Sequence, residues 1–131
     1  MARYEAQSGG VFEEKPLVQI AVDVRNDVIV LCPMGELTGA HHLKDLPSAV
    51  DGYLDRDYRK FVLKMSSVSM IDSTGLGVVF SVYKRVQSAQ GKLVVAEIPE
   101  RLTRVFEVMN FQYIMSLKDT VDEAIEELHQ D

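Results

Sequence analysis

From residue 17 onward the apolar positions fall into blocks whose period changes along the chain. Over residues 17–24, Val18, Ile20, Val22 and Val24 alternate with polar or small neighbours, the period of two that turns one face of a strand toward a core. Asn26-Asp27 is a turn signal, and residues 28–34 repeat a strand pattern, so the pair predicts an antiparallel hairpin. Pro33 has no amide to give to a ladder and is expected at an edge or a strand end. After a loop over residues 35–39 the period lengthens. Leu43, Leu46, Val50 and Leu54 predict a helix over about residues 40–56, with a break or late start near Pro47.

Residues 61–65 predict a third strand, and a long helix follows from near Ser73 to Gln90, stopped by Gly91. Residues 92–98 predict a fourth strand, whose Leu93, Val94 and Val95 suit burial on both faces. Pro99 stands at the first turn of another helix, with Leu102, Val105, Phe106 and Met109 as its inward stripe and Asn110 able to close it in a left-handed conformation. Residues 113–116 predict a short last strand. Thr120 and Glu123 have capping-box spacing ahead of a helix lined by Val121, Ala124, Ile125 and Leu128. Strands and helices alternate after the hairpin, which predicts an α/β sandwich with a mixed, mainly parallel sheet. Residues 1–16 have no period and read as a loose tail, leaving 17–131 as the domain.

A chain of 131 residues suits one domain with a real core. Its net charge of -6 is spread along the chain with no basic stripe, which argues against a nucleic-acid partner. The single cysteine, Cys32, excludes an internal disulfide; inside an apolar run it reads as a small buried hydrophobe. No apolar run approaches the ~18 residues that would span a bilayer, and residues 1–16 lack the apolar stretch of a secretory leader. A cytoplasmic protein without membrane insertion is expected.

The chemistry concentrates in Ser69-Met70-Ile71-Asp72-Ser73-Thr74-Gly75-Leu76-Gly77, at a strand-to-helix turn. Amides at a helix start lack intrahelical acceptors, so the turn suits a hydroxyl oxygen or an anion, and Ser73 is a candidate for reversible phosphorylation. Simple capping is the competing reading: Ser73 as N-cap would accept from an amide near Leu76, worth roughly 0.5–2 kcal/mol, with Asp72 favourably placed at the positive helix end. Gly75 and Gly77 each cost ~1 kcal/mol against alanine inside a helix, so both imply that something approaches the backbone closely. Along the same helix, Leu76, Val79, Phe80, Tyr83 and Val86 read as core. Val78, Val82 and Ala89 form a second stripe beside Lys84 and Arg85, a docking face unless another helix covers it.

Other constellations are weak. His41 and His42 are adjacent and diverge by about 100° on a helix, unlike an i, i+4 metal pair. There is no nucleophile elbow, no phosphate-loop lysine and no full dinucleotide fingerprint. No metal, cofactor or catalytic residue is expected, and the chain reads as a binding protein rather than an enzyme.

The longer stretch from Phe61 to Gly77 resembles the signature of the STAS domain, the family of bacterial anti-sigma factor antagonists. Gly35-Glu36-Leu37 and Glu100-Arg101-Leu102-Thr103-Arg104-Val105-Phe106 match as well, so the likeness covers about residues 17–130. The resemblance implies a STAS-type sandwich with about four or five helices. It implies that Ser73, with Thr74 its neighbouring hydroxyl and Asp72 its acidic partner, accepts phosphate from an anti-sigma factor serine kinase. A metal-dependent serine phosphatase would remove it, and the unphosphorylated form would bind the kinase and free a sigma factor. Gly75 and Gly77 would belong to the switch loop; Thr38, Val78 and Val82 would face the partner. Thr38 stands where such antagonists usually carry an aspartate, and Lys64 where an acidic or amide residue is common. The alternative within the family is an accessory or scaffold module, for example of a phospholipid-transport complex, in which Ser73 or Thr74 only caps the helix.

Overall fold

Two strands, β1 (Gln19–Arg25) and β2 (Val28–Leu37), open the computed structural model, which describes residues 18–40 and 43–130. They form the expected antiparallel hairpin, closed by Arg25 opposite Val28 with Asn26 at φ 57°. The chain continues through α1 (Asp45–Asp55), β3 (Lys60–Lys64), β4 (Val68–Ile71), α2 (Ser73–Ser88) and β5 (Lys92–Ala96). It ends with α3 (Glu100–Val108), a 3-10 turn (Phe111–Tyr113), β6 (Ser116–Lys118) and α4 (Val121–Leu128). The sheet runs β1-β2-β3-β5-β6, and every pair after the hairpin is parallel.

The helices divide between the two faces. Leu46 and Val50 of α1, Leu76, Val79, Val82 and Val86 of α2, and Leu102 and Phe106 of α3 share one core with Ile29, Leu31, Phe61, Leu63, Leu93 and Val95. On the other face Val121, Ala124 and Leu128 of α4 cover Val28, Val30, Val62, Val94 and Ala96. Strands β2, β3 and β5 are therefore buried on both sides, which is why their sequences read as continuous apolar runs rather than alternations. By contrast β1 is an edge strand: it alternates as expected, yet Val22 and Val24 stay 40% and 49% exposed.

Several boundaries differ from expectation for physical reasons. Strand β4 was not foreseen, because it is only four residues long and its buried residues, Val68 and Ile71, are three apart, which breaks the period of two. It exists because β2, ten residues long, outruns β3: Val28 to Leu31 pair with β3, and Gly35 to Leu37 pair with β4. Pro33 consequently sits in the strand interior, opposite Ile20 of β1, in the gap between those two parallel partners, where its missing amide leaves no bond unmade on that side. Helix α1 begins at Asp45 rather than residue 40, with Pro47 tolerated in its first turn. The last strand is Ser116–Lys118, and Phe111–Tyr113 is a 3-10 turn instead, entered through Asn110 at φ 60°, the left-handed conformation its side chain tolerates.

Gln90, at φ 66°, turns the chain out of α2, while Gly91 is needed for space: a Cβ there would lie 2.4 Å from the carbonyl oxygen of Arg59. Thr120 caps α4 as expected, its Oγ1 accepting from the Glu123 amide at 3.0 Å. Cys32 is half-buried rather than sealed, its Sγ 3.8 Å from Ser67 Oγ. The expectations for residues 1–16 and for His41 and His42 fall outside the described residues.

Candidate functional site

The parallel ends of β2 and β4 deliver two loops to one edge of the sheet. Leu37 pairs with Ile71, and the next residue, Asp72, donates its amide to the Leu37 carbonyl at 3.3 Å. Asp72 has extended backbone and is the N-cap of α2: Oδ1 accepts from the Gly75 amide at 3.0 Å, and Oδ2 accepts from the Gly39 amide at 2.9 Å. One carboxylate thus ties the start of α2 to the loop after β2. These amide bonds, Gly39 first, then Gly75, hold the Asp72 carboxyl below its ordinary pKa, so it is ionised at neutral pH.

The cap is therefore Asp72, not Ser73 as the local pattern suggested. Gly39, 33 residues away in sequence, supplies the second amide and favours a carboxylate, which can accept on both oxygens. Ser73 becomes the first helical residue, exposed, and among the described residues its hydroxyl makes no hydrogen bond. Thr74 faces the other way, its Oγ1 on the side of Gly39.

The two glycines have different causes. A Cβ on Gly75 would sit 1.9 Å from the Leu37 carbonyl oxygen and 2.8 Å from Ile71 Cγ1, so Gly75 lets α2 press against the end of β2. A Cβ on Gly77 would meet nothing within 4 Å. Gly77 is exposed and leaves open space beside Ser73.

The expected docking stripe of α2 is covered. Val82 is fully buried and Val78 packs half-buried against the core, because α1 lies over them and Arg85 of α2 pairs with Asp51 of α1. Thr38 is 6% exposed, and its Oγ1 accepts from the Ala40 amide at 3.3 Å; it shapes the loop and presents little surface. Lys64 ends β3 half-buried. The surface that is open lies elsewhere. Phe80, Val108, Met109 and Ile114, two of them expected in the core, remain between 38% and 66% exposed. Phe80 stacks on Tyr83 at 6.4 Å, with Lys84 Nζ 6.0 Å from its ring.

Two open cavities of about 320 Å³ each run along this surface, and Ser73 and Leu76 line both. Asp72, Arg104, Val105 and Val108 complete one; Gly77, Phe80, Phe111 and Ile114 line the other, with Met109 shared. One signal could have revealed this patch: Val108 is apolar yet lies off the stripe of Leu102, Val105 and Phe106 on α3. Arg101 anchors α3 beneath the motif, donating to the carbonyls of Val68 at 3.2 Å and Ser69 at 3.3 Å. Among the described residues no group of three or more His, Cys, Asp or Glu side chains could hold a metal ion, and no helix is long and apolar enough to cross a membrane.

A hairpin-led parallel sheet, three helices on one face and one on the other, and an Asp-Ser-Thr-Gly turn capped by its aspartate define a STAS-type regulatory domain. The sequence profile of the STAS domain matches residues 19–124, and the chain belongs to that family. Its relatives there include anti-sigma factor antagonists. It is 36% identical over 104 residues to a candidate anti-sigma factor antagonist of Thermotoga neapolitana, across 78% of this chain and 90% of the relative. It is 27% identical to the anti-sigma-B factor antagonist of Listeria monocytogenes, across 81% and 95%. The crystal structure of a candidate anti-sigma factor antagonist from Thermotoga maritima superposes with a TM-score of 0.77 at 30% identity, over 85% of this chain and 95% of that one. The anti-sigma factor antagonist SpoIIAA, in its unphosphorylated form, shares the fold with a TM-score of 0.64 at 18% identity, over 87% and 99%.

Proposed function

We propose that this protein is a phosphorylation-controlled anti-sigma factor antagonist, acting as a substrate and binding partner. In this reading an anti-sigma factor serine kinase transfers the γ-phosphoryl group of ATP to Ser73 Oγ, releasing ADP, while the hydroxyl proton passes to a base on the kinase. A serine phosphatase hydrolyses the ester. The unmodified form binds the kinase, which then releases its sigma factor. The observation that carries this reading is the state of Ser73: an exposed hydroxyl free of hydrogen bonds, on a turn held by the Asp72 bridge, at the rim of an open apolar surface.

The physics follows from that position. A phosphoryl group adds roughly -1.5 to -2 charges where a partner would otherwise bury Phe80, Val108 and Met109. Enclosing an unmatched dianion in an apolar interface is costly, so the modified form lets go. Because Ser73 neither caps the helix nor packs in the core, adding the group leaves the fold in place. The reading is supported by SpoIIAA, a relative in fold, which has been solved in both unphosphorylated and phosphorylated forms.

Incubation with the cognate kinase and ATP, followed by intact mass and peptide mapping, tests it. One added phosphate on the Ser73 peptide, absent in Ser73→Ala, is expected. Ser73→Asp is expected to bind the kinase at least tenfold more weakly than Ser73→Ala. No phosphate on Ser73, with equal affinity of the two variants, would refute the switch and favour a scaffold module of the same family.

A further inference from the structure

Where a phosphate on Ser73 would find its counter-charge is not the helix start. Asp72 already holds the Gly75 amide through its carboxylate and the Leu76 amide through its carbonyl, at 3.0 and 2.9 Å, and its carboxylate also draws on Thr74. An anion arriving at Ser73 therefore meets a carboxylate where a bare helix end would have offered amides.

Across the cavity stands one cation. Among the described residues, Asp72 and Arg104 are the only charged ones that line it with Ser73, and its remaining walls are Leu76, Val105, Val108 and Met109. Arg104 is exposed, and among the described residues its side chain makes no hydrogen bond or ion pair. Arg101, one turn earlier on α3, is spent on the carbonyls of Val68 and Ser69. Arg104 and Asp72 form no ion pair, and both Asp72 oxygens already accept from backbone amides.

We infer that Arg104 is the intramolecular partner of phosphorylated Ser73: its guanidinium closes over the cavity onto the phosphate and covers the apolar wall that the unmodified form presents. This rests on the phosphorylation reading above and adds how the modification is read within the chain. A guanidinium matches a phosphate with two parallel charge-assisted hydrogen bonds, which an ammonium cannot reproduce in geometry. The phosphate thus does more than repel a partner. It recruits Arg104 from α3 to roof Val108 and Met109, changing the surface while the backbone stays still.

The contact can be tested without any kinase by installing phosphoserine at position 73 during translation, in the wild-type background and in Arg104→Gln and Arg104→Lys. The second pKa of the phosphate is then followed by phosphorus NMR across pH 4–9. A nearby cation favours the dianion, so the wild-type phosphate should titrate at least ~0.5 unit below that of Arg104→Gln, with Arg104→Lys between them. Asp72, which pushes the other way, is present in all three and cancels. Identical phosphate pKa values in wild type and Arg104→Gln, in proteins whose melting curves show an intact fold, would overturn the inference. Since the phosphate is supplied in translation, failure of a kinase to modify Ser73 counts against the proposed function alone, and an Arg104-independent titration counts against this contact alone.

Discussion

Replacing Gly75 and Gly77 by alanine, one at a time, separates two residues that look equivalent in the sequence. Both lie early in α2, and helix propensity alone favours each alanine by about 0.8–1 kcal/mol. At Gly77 nothing opposes the gain, because the new methyl meets no atom within 4 Å. At Gly75 the methyl would lie 1.9 Å from the Leu37 carbonyl oxygen and 2.8 Å from its carbon, backbone atoms that no rotamer can move aside. The helix start must therefore retreat from β2, an overpacking cost of about 1–3 kcal/mol. The retreat also strains the Asp72–Gly75 capping bond, worth roughly 0.5–2 kcal/mol. Net of propensity, Gly75→Ala should lose about 0.5–4 kcal/mol, while Gly77→Ala should gain up to ~1 kcal/mol. Urea unfolding followed by far-ultraviolet circular dichroism measures both, and the two midpoints should move in opposite directions. A Gly75→Ala protein as stable as wild type, or a Gly77→Ala protein destabilised to the same degree, would refute the assignment of Gly75 to packing and Gly77 to open surface.

The same contrast applies to buried and open apolar side chains. Val82→Ala should cost about 2 kcal/mol in the same unfolding assay, since the side chain is fully buried under α1. Met109→Ser, at 49% exposure, should stay within about 0.5 kcal/mol of wild type yet weaken kinase binding in a calorimetric titration. Asp27 is held at a pKa of about 2, against an ordinary 3.8, by Lys60 Nζ at 2.9 Å and then by His129 Nε2 at 3.1 Å. A depressed carboxylate contributes stability that is full above its unfolded pKa and lost as pH falls through the folded one. Asp27→Asn should accordingly flatten the decline in melting temperature between about pH 4 and 2, and an unchanged slope would dismiss that linkage. Asp72→Asn should lower the melting temperature at pH 7, because an amide oxygen accepts from only one of the two loops that the carboxylate joins.

Local period determined most of the scaffold. The runs in β2, β3 and β5, the apolar stripe of α4, the Thr120 cap and the left-handed Asn110 are all legible because each depends on neighbours within a few residues. The Asp-Ser-Thr-Gly turn likewise announced where the chemistry lies, between a strand and a helix. Tertiary structure decided everything that needed a partner distant in the chain. Strand β4 is too short and lacks the period of two that would declare it, and it is held by the overhang of β2. Asp72 displaced Ser73 as the cap because the Gly39 amide arrives from another loop, which left the serine hydroxyl free. Helical spacing placed Val78 and Val82 on one stripe and Phe80 on another, but only the seating of α1 covered the first and left Phe80 at the surface. The physical reason is that periodicity records which side chains share a face, whereas burial and charge pairing are set by what the fold brings against that face.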